Sequence, residues 1–219
     1  MRWLVVIAAS GRDDDLVALA EASVRREVPD ADVLILRGAT SHGAKLDRGR
    51  SYCVQYDVAV TLDSDVVVWP GWRAWIEHRL KDPALVACGA PRVDDAWGLH
   101  PSMLAMRGDL YAKSPSWQPS ALGDTGVAVC HWLEGQGKLL AADSQLAYEG
   151  WWRFVTPGDE PGSVVGWQEG VGQVRPRWWH LGSGSSSRWT WRCLVDREAW
   201  GRWRRRKAFV RAARGRLAQ

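Results

Sequence analysis

Val58-Ala-Val-Thr-Leu-Asp63-Ser64-Asp65-Val66 is an apolar stretch that runs into two aspartates one residue apart. Its composition is that of a strand covered on both faces. D-x-D alone is a weak pattern, and it occurs here at Asp13/Asp15, Asp30/Asp32 and Asp63/Asp65. The first pair sits at a helix start and the second straddles a strand start. Only the third ends a buried strand. Alternate side chains of an extended segment point the same way, so both carboxylates are expected to face one ligand. Two hard oxygen donors in a cleft suit Mg²⁺ or Mn²⁺, and such a metal would bridge a diphosphate. The competing reading is that the aspartates only cap the following turn.

Outward from this stretch, strands and helices alternate. Trp3 to Ala9 is a continuous apolar run of strand length. Asp13 to Val28 reads as a helix, with an acidic first turn that suits the positive helix N-terminus and Pro29 beyond its end. Leu16, Leu19, Ala20, Ser23, Val24 and Glu27 recur on it at helical spacing. Ala31 to Leu36 is a second strand and His42 to Gln55 a basic helix. Pro70-Gly71 opens a helix from Trp72 to Leu80, and Ala84 to Gly89 is a further strand. Such alternation predicts a mostly parallel sheet with helices on both faces. Ligands of such sheets bind outside the carboxyl ends of the strands. The second half is less regular. Ser102 to Met106 and Lys138 to Ala142 read as strands and Asp124 to Gln136 as a helix. Gly150 to Arg177, rich in Gly, Pro and Trp, reads as long loops, and Asp196 to Leu217 as a C-terminal helix.

A chain of 219 residues is one ordinary domain or two small ones. Its four cysteines are 35, 42 and 63 residues apart and form no C-x-x-C pair, which excludes a zinc ribbon or a thioredoxin-like motif. Free thiols in a reducing compartment are expected. No apolar run reaches the roughly 18 residues needed to span a bilayer, and the expected location is cytoplasmic. Charge is unevenly spread: Ser187 to Gln219 carries 11 basic against 2 acidic residues, a balance of +9, while the rest sums to −5. Arginine outnumbers lysine 24 to 5 and there are 16 tryptophans, but GC-rich coding yields both excesses, so neither proves a function.

A metal on two carboxylates keeps vacant positions. Trp178-Trp179-His180-Leu181-Gly182-Ser183-Gly184-Ser185 offers the His180 imidazole for one of them. The small residues beside it allow close backbone approach to phosphate oxygens. The competing reading is a surface histidine beside a flexible Gly/Ser loop.

With these residues in view the chain resembles nucleotide-sugar glycosyltransferases of the GT-A fold, family-2-like and of a phage-type character. The resemblance runs over residues 1–186 and is most specific at Thr61-Leu-Asp63-Ser-Asp65. It implies a GT-A-like, Rossmann-like α/β domain with a mixed, mostly parallel sheet and flanking helices, followed by a basic C-terminal helix over 187–219. It also implies a metal site of Asp63, Asp65 and His180 holding Mn²⁺ or Mg²⁺ against the donor diphosphate. Gly43-Ala-Lys45-Leu-Asp-Arg48-Gly49-Arg50 is similar to the family segment that contacts the donor. Ser10 to Arg12 falls where the family cradles the nucleotide base. Donor contacts are thereby assigned to Ser10, Arg12, Lys45, Arg48, Ser64 and Ser183. The chain departs from the family in two places. No Glu-Asp pair stands where inverting members carry their base, the position being taken by Leu122-Gly123-Asp124-Thr125-Gly126. No Q-x-x-R-W motif is present, which argues against polymer synthesis.

Asp124 has the chemistry of a general base toward an acceptor hydroxyl, and equally that of a helix N-cap. Trp151, Trp152 and Trp179 are candidate walls of an acceptor pocket, with His100 on the same side, whereas Trp72 and Trp75, three apart on a helix, read as core. The basic tail has three readings: docking on the domain, contact with nucleic-acid phosphates, or lying on an anionic membrane. The expected reaction is metal-dependent transfer of a sugar from a nucleotide-diphosphate donor to a hydroxyl. The acceptor is a hydroxylated DNA base, slightly favoured, or a saccharide or lipid-linked glycan. A nucleotidyltransferase and a non-catalytic nucleic-acid-binding module are the alternatives.

Overall fold

The computed structural model describes residues 1–9, 14–38, 40–91, 99–120, 125–146, 152–155, 164–168, 211, 214, 215, 217 and 218. The first half follows the expected alternation: β1 (Trp3–Ala8), α1 (Asp14–Glu27), β2 (Asp32–Leu36), α2 (His42–Arg50), β3 (Val58–Asp63), β4 (Val66–Val68), α3 (Trp72–Leu80) and β5 (Leu85–Pro91). Then come β6 (Leu99–Arg107), α4 (Gly108–Lys113), α5 (Val127–Glu134), β7 (Lys138–Ala141), β8 (Asp143–Leu146), β9 (Trp152–Val155) and β10 (Val164–Gln168).

Six strands form one sheet in the order β2-β1-β3-β6-β5-β7. β1 runs parallel to β2 and β3, and β5 parallel to β7, while β6 is antiparallel to both of its neighbours. The sheet is therefore mixed, mostly parallel and flanked by helices: an α/β fold. Side-chain alternation sorts its two faces. Trp3, Val5 and Ile7 of β1 join Val58, Val60 and Leu62 of β3 in a core with Ala20 and Val24 of α1 and Trp72, Trp75 and Ile76 of α3. Leu4, Val6 and Ala8 point the other way, into a core with Leu46 of α2, Leu110 and Tyr111 of α4, and Val129 and Leu133 of α5. Burial on both faces is why β1 reads as an unbroken apolar run.

The structure departs from the sequence reading at several points. The helix expected to reach Gln55 ends at Arg50, because the Ser51 hydroxyl donates to the Arg48 carbonyl (3.1 Å) and the Tyr52 amide to Gly49; Cys53–Gln55 is a separate 3₁₀ turn. The stretch from Gly150 to Arg177 is not only loop, since β9 and β10 lie in it. They belong to a second sheet in the order β4-β10-β9-β8, with antiparallel pairings. β4 was not expected at all. In the C-terminal segment the described residues Arg211, Arg214, Gly215 and Leu217 are helical, and Arg211 and Arg214 are exposed; the rest of the expected helix lies outside the described residues.

Candidate functional site

β3 delivers Asp63 to the carboxyl edge of the large sheet, level with Ala8 of β1 in the parallel register. Val58, Val60 and Leu62 face α1 and α3, so Ala59, Thr61 and Asp63 face α2. α2 follows β2 and therefore starts at the same edge. Ser41 caps it, its hydroxyl accepting from the Ala44 amide at 3.2 Å. The first helical residue, His42, places Nε2 3.3 Å from Asp63 Oδ1. That approach lacks the alignment of a hydrogen bond, and Oδ1 is a buried acceptor with no hydrogen-bond partner among the described residues. Such an orphaned carboxylate oxygen costs free energy unless something else claims it. His42 and Asp63 side chains keep 34% and 16% of their exposure, so the pair lies at the rim of the protein and not in its core.

The extended Asp63-Ser64-Asp65 segment expected from the sequence is not observed. Ser64 and Asp65 form a two-residue turn between β3 and β4, because β4 leaves for the second sheet. Strand alternation therefore does not set the direction of Asp65. Ser64 is buried in the turn and Asp65 half-buried. Among the described residues no group of three or more His, Cys, Asp and Glu side chains is placed to hold a metal ion.

Of the three basic residues assigned to the donor, Lys45 and Arg48 are described, and they separate. Lys45 is buried on the side of α2 that carries Leu46 and Gly49, and burial pulls its ammonium below the ordinary lysine range. Arg48 is exposed. His100, near the start of antiparallel β6, stands at the same sheet edge as Asp63, and its Nδ1 accepts from the Ser102 amide at 3.1 Å. The neighbouring Pro101 carbonyl accepts from the Thr61 hydroxyl at 2.7 Å, tying the start of β6 to β3 two residues before Asp63. Trp152 opens β9. In register it lies opposite Gln168 of β10, which lies opposite Val66 of β4. Two strand spacings, roughly 10 Å, therefore separate the Trp152 backbone from the residue after Asp65. Ser10, Arg12, Asp124, Trp151, Trp179, His180 and Ser183 lie outside the described residues. Trp72 and Trp75 are core, as expected.

Sequence reasoning missed His42 and Asp47. His42 carried a signal: it stands at the start of the helix after a parallel strand, on the ligand-binding edge of such sheets. Asp47 carried none, since its hydrogen bonds are with residues about 70 positions away.

No protein-family model matches the chain, and no curated protein sequence matches it. Solved structures do resemble it. A197 from STIV is 13% identical with a TM-score of 0.48, over 74% of this chain and 97% of that one. A galactosyltransferase LgtC in complex with donor and acceptor sugar analogs is 13% identical with a TM-score of 0.41, over 64% and 73% of the two chains. A glycosyltransferase involved in glycosylation of the major capsid of PBCV-1 is 14% identical with a TM-score of 0.42, over 64% and 81%. At such TM-scores the functional reading rests on this chain's own residues.

Proposed function

We propose that the protein is a glycosyltransferase of GT-A-like fold, moving a sugar from a nucleotide-diphosphate donor to a hydroxyl acceptor with the help of Mn²⁺ or Mg²⁺. The observation that carries the reading is Asp63: a carboxylate at the carboxyl end of a central parallel strand, with a buried oxygen that no hydrogen-bond donor among the described residues claims. A hard divalent cation fits that oxygen. Asp63 and Asp65 would hold it, with His180 as a third ligand. A bound cation would supply positive charge for the departing diphosphate.

The chain's own residues do the rest. His42 flanks Asp63 and limits the positions its carboxylate can take. Ser10, Arg12, Lys45, Arg48, Ser64 and Ser183 are proposed to bind the donor. A donor phosphate beside buried Lys45 would offset the desolvation that lowers its pKa. Asp124 is proposed to take the proton of the attacking hydroxyl. His100, Trp151, Trp152 and Trp179 are proposed as the acceptor side, a role supported for Trp152 by its register with β4. The +9 segment from Ser187 to Gln219 supports an anionic acceptor, and we propose a DNA base ahead of a saccharide at a membrane surface. No helix among the described residues is long and apolar enough to cross a membrane. The free thiols of Cys53, Cys88 and Cys130 support a cytoplasmic setting.

The test is nucleotide release from a panel of nucleotide sugars with Mn²⁺, using the full chain and Asp63→Asn. Nucleoside diphosphate release by the wild type is expected, falling about 10³-fold in a variant with unchanged circular dichroism, the scale for losing a main electrostatic contribution. Release of a sugar 1-phosphate instead, with the nucleoside monophosphate transferred, would mark a nucleotidyltransferase, and full activity of Asp63→Asn would overturn the site. A second arm compares the full chain with one ending at residue 186 for binding duplex DNA and anionic liposomes across a salt series. A steep salt slope on DNA that truncation removes is expected. Equal, weak DNA binding by both forms rejects the DNA acceptor.

A further inference from the structure

We infer that Asp47, on α2, is a positioning residue that pins both ends of segment 118–125 beside the Asp63 edge of the sheet; its catalytic consequence rests on the transferase reading above. The Asp47 carboxylate is heavily used. Oδ1 accepts from the Trp117 amide at 3.0 Å and lies 3.4 Å from Arg50 Nε. Oδ2 accepts from the Ser116 hydroxyl at 2.8 Å and the Gln118 side-chain amide at 3.5 Å. The carbonyl of the same Trp117 accepts from the Gly126 amide at 3.0 Å. The chain thus leaves Trp117 at Gln118 and returns to Trp117 at Gly126, and the Trp117 backbone closes the intervening segment. Asp124 lies in that segment by sequence.

Trp117 is a rigid post for this closure. Its ring is fully buried, packs edge-on against Tyr111 at 5.2 Å between centroids, and donates from Nε1 to the Ser114 hydroxyl at 3.1 Å. Tyr111 in turn donates to the Leu46 carbonyl of α2 at 2.9 Å. Both roots of the segment then touch the neighbours of the candidate site. On one side Gly43, next to His42, lies so close that a Cβ there would meet Gln118 Cα and the Trp117 carbonyl at 2.7 Å. On the other, Gly126 is left-handed (φ +80°), and a Cβ there would meet Pro101 Cγ at 3.4 Å. Pro101 is the residue bonded to Thr61. One carboxylate therefore fixes where the segment starts and, through the single residue Trp117, where it ends, relative to both His42 and Asp63.

A fold staple without a role in turnover would use the same bonds, so the test needs readouts that separate the two. Hydrogen exchange over residues 114–126, UDP binding with Mn²⁺ by calorimetry, and turnover of nucleotide sugars are measured on the full-length wild type, Asp47→Asn and Asp47→Ala. The expectation is at least tenfold faster exchange in Asp47→Ala, a UDP Kd within threefold of wild type, and a tenfold or greater loss of kcat. Asp47→Asn keeps an acceptor for the Trp117 amide and is expected to recover most of both losses. A lower melting temperature with kcat unchanged would leave Asp47 a fold staple and overturn the positioning role. Unchanged exchange would overturn the clamp itself. If the wild type turns over none of the donors, the transferase reading fails, and the exchange comparison alone judges the clamp. Should Asp47→Ala not fold, Ser116→Ala, at an exposed donor to the same carboxylate, replaces it in the comparison.

Discussion

The two faces of the six-stranded sheet are built from different chemistry. On the α1/α3 face, Trp3, Trp72 and Trp75 supply bulk, and all three leave a buried indole N–H without a hydrogen-bond partner among the described residues. Trp3 and Trp72 pack ring against ring at 5.7 Å. A polar contribution comes from Ser23, whose hydroxyl donates to the Ala20 carbonyl and accepts from the Val68 amide. On the α2/α4/α5 face the buried tryptophan, Trp117, has its N–H satisfied, and Tyr111, Ser114 and Asp47 form a bonded chain around it. Lys45 is buried there too. A face that only has to be filled tolerates unpaired indoles. A face that must hold loops and carboxylates in one geometry is wired.

The largest break between the faces is expected at Trp72. Replacing it by alanine removes a fully buried ring and should cost about 3–5 kcal/mol of unfolding free energy. The site chemistry lies on the opposite face, so UDP binding per folded molecule should hold. Urea unfolding together with calorimetry checks both. Trp72→Phe sharpens the point: it keeps a ring and discards the unpaired N–H, so it should cost clearly less than Trp72→Ala. Loss of UDP binding in the folded fraction of either variant would show that the two faces are not independent.

Gly43 offers the converse break. A methyl group there meets backbone, not a flexible side chain, at 2.7 Å. Either α2 or residues 117–118 must move, a strain of about 1–3 kcal/mol. The expected signature of Gly43→Ala is a modest drop in melting temperature with a larger loss of turnover than Trp72→Ala shows, because the displaced helix carries His42. Equal loss of turnover in the two variants would erase the distinction between the faces.

The same contrast explains what the sequence shows and hides. β1 and β3 are legible because burial on both faces writes itself as continuous apolar runs, and α1 because its apolar spacing matches a helix. β4, β8, β9 and β10 are short, three to five residues each, too short to carry a period. Two of the four, β9 and β10, lie moreover in a stretch that composition marks as loop. Asp63 is legible because it ends a buried strand. The turn at Ser64-Asp65 is not, because it follows from β4 joining a different sheet. The bonds of Asp47 to Ser116, Trp117 and Gln118 have no local signature, since only the packing of α2 brings them together.

The smallest expected effect concerns Lys45, the charge that the wired face holds. Burial lowers its folded-state pKa below the ordinary lysine value, to which the unfolded chain returns. Below the folded pKa both states are protonated, and the full cost of burying the charge weighs against folding. Between the two values the unfolded state binds more protons, so this contribution to stability rises with pH. Other groups oppose it. Tyr56, Tyr111, Cys53 and Cys88 have raised pKa values, the thiols pushed up to about 12, so their contributions fall as pH climbs past their ordinary values. The slope of the wild type alone therefore decides nothing, and the difference from Lys45→Met isolates the lysine. Urea unfolding of both proteins at pH 8, 9 and 10 should show the methionine variant more stable at pH 8, with the gap narrowing as pH rises. A gap that stays constant would mean that the ammonium reaches water in the folded protein, and the α2 face would then be no more costly to charge than an ordinary surface.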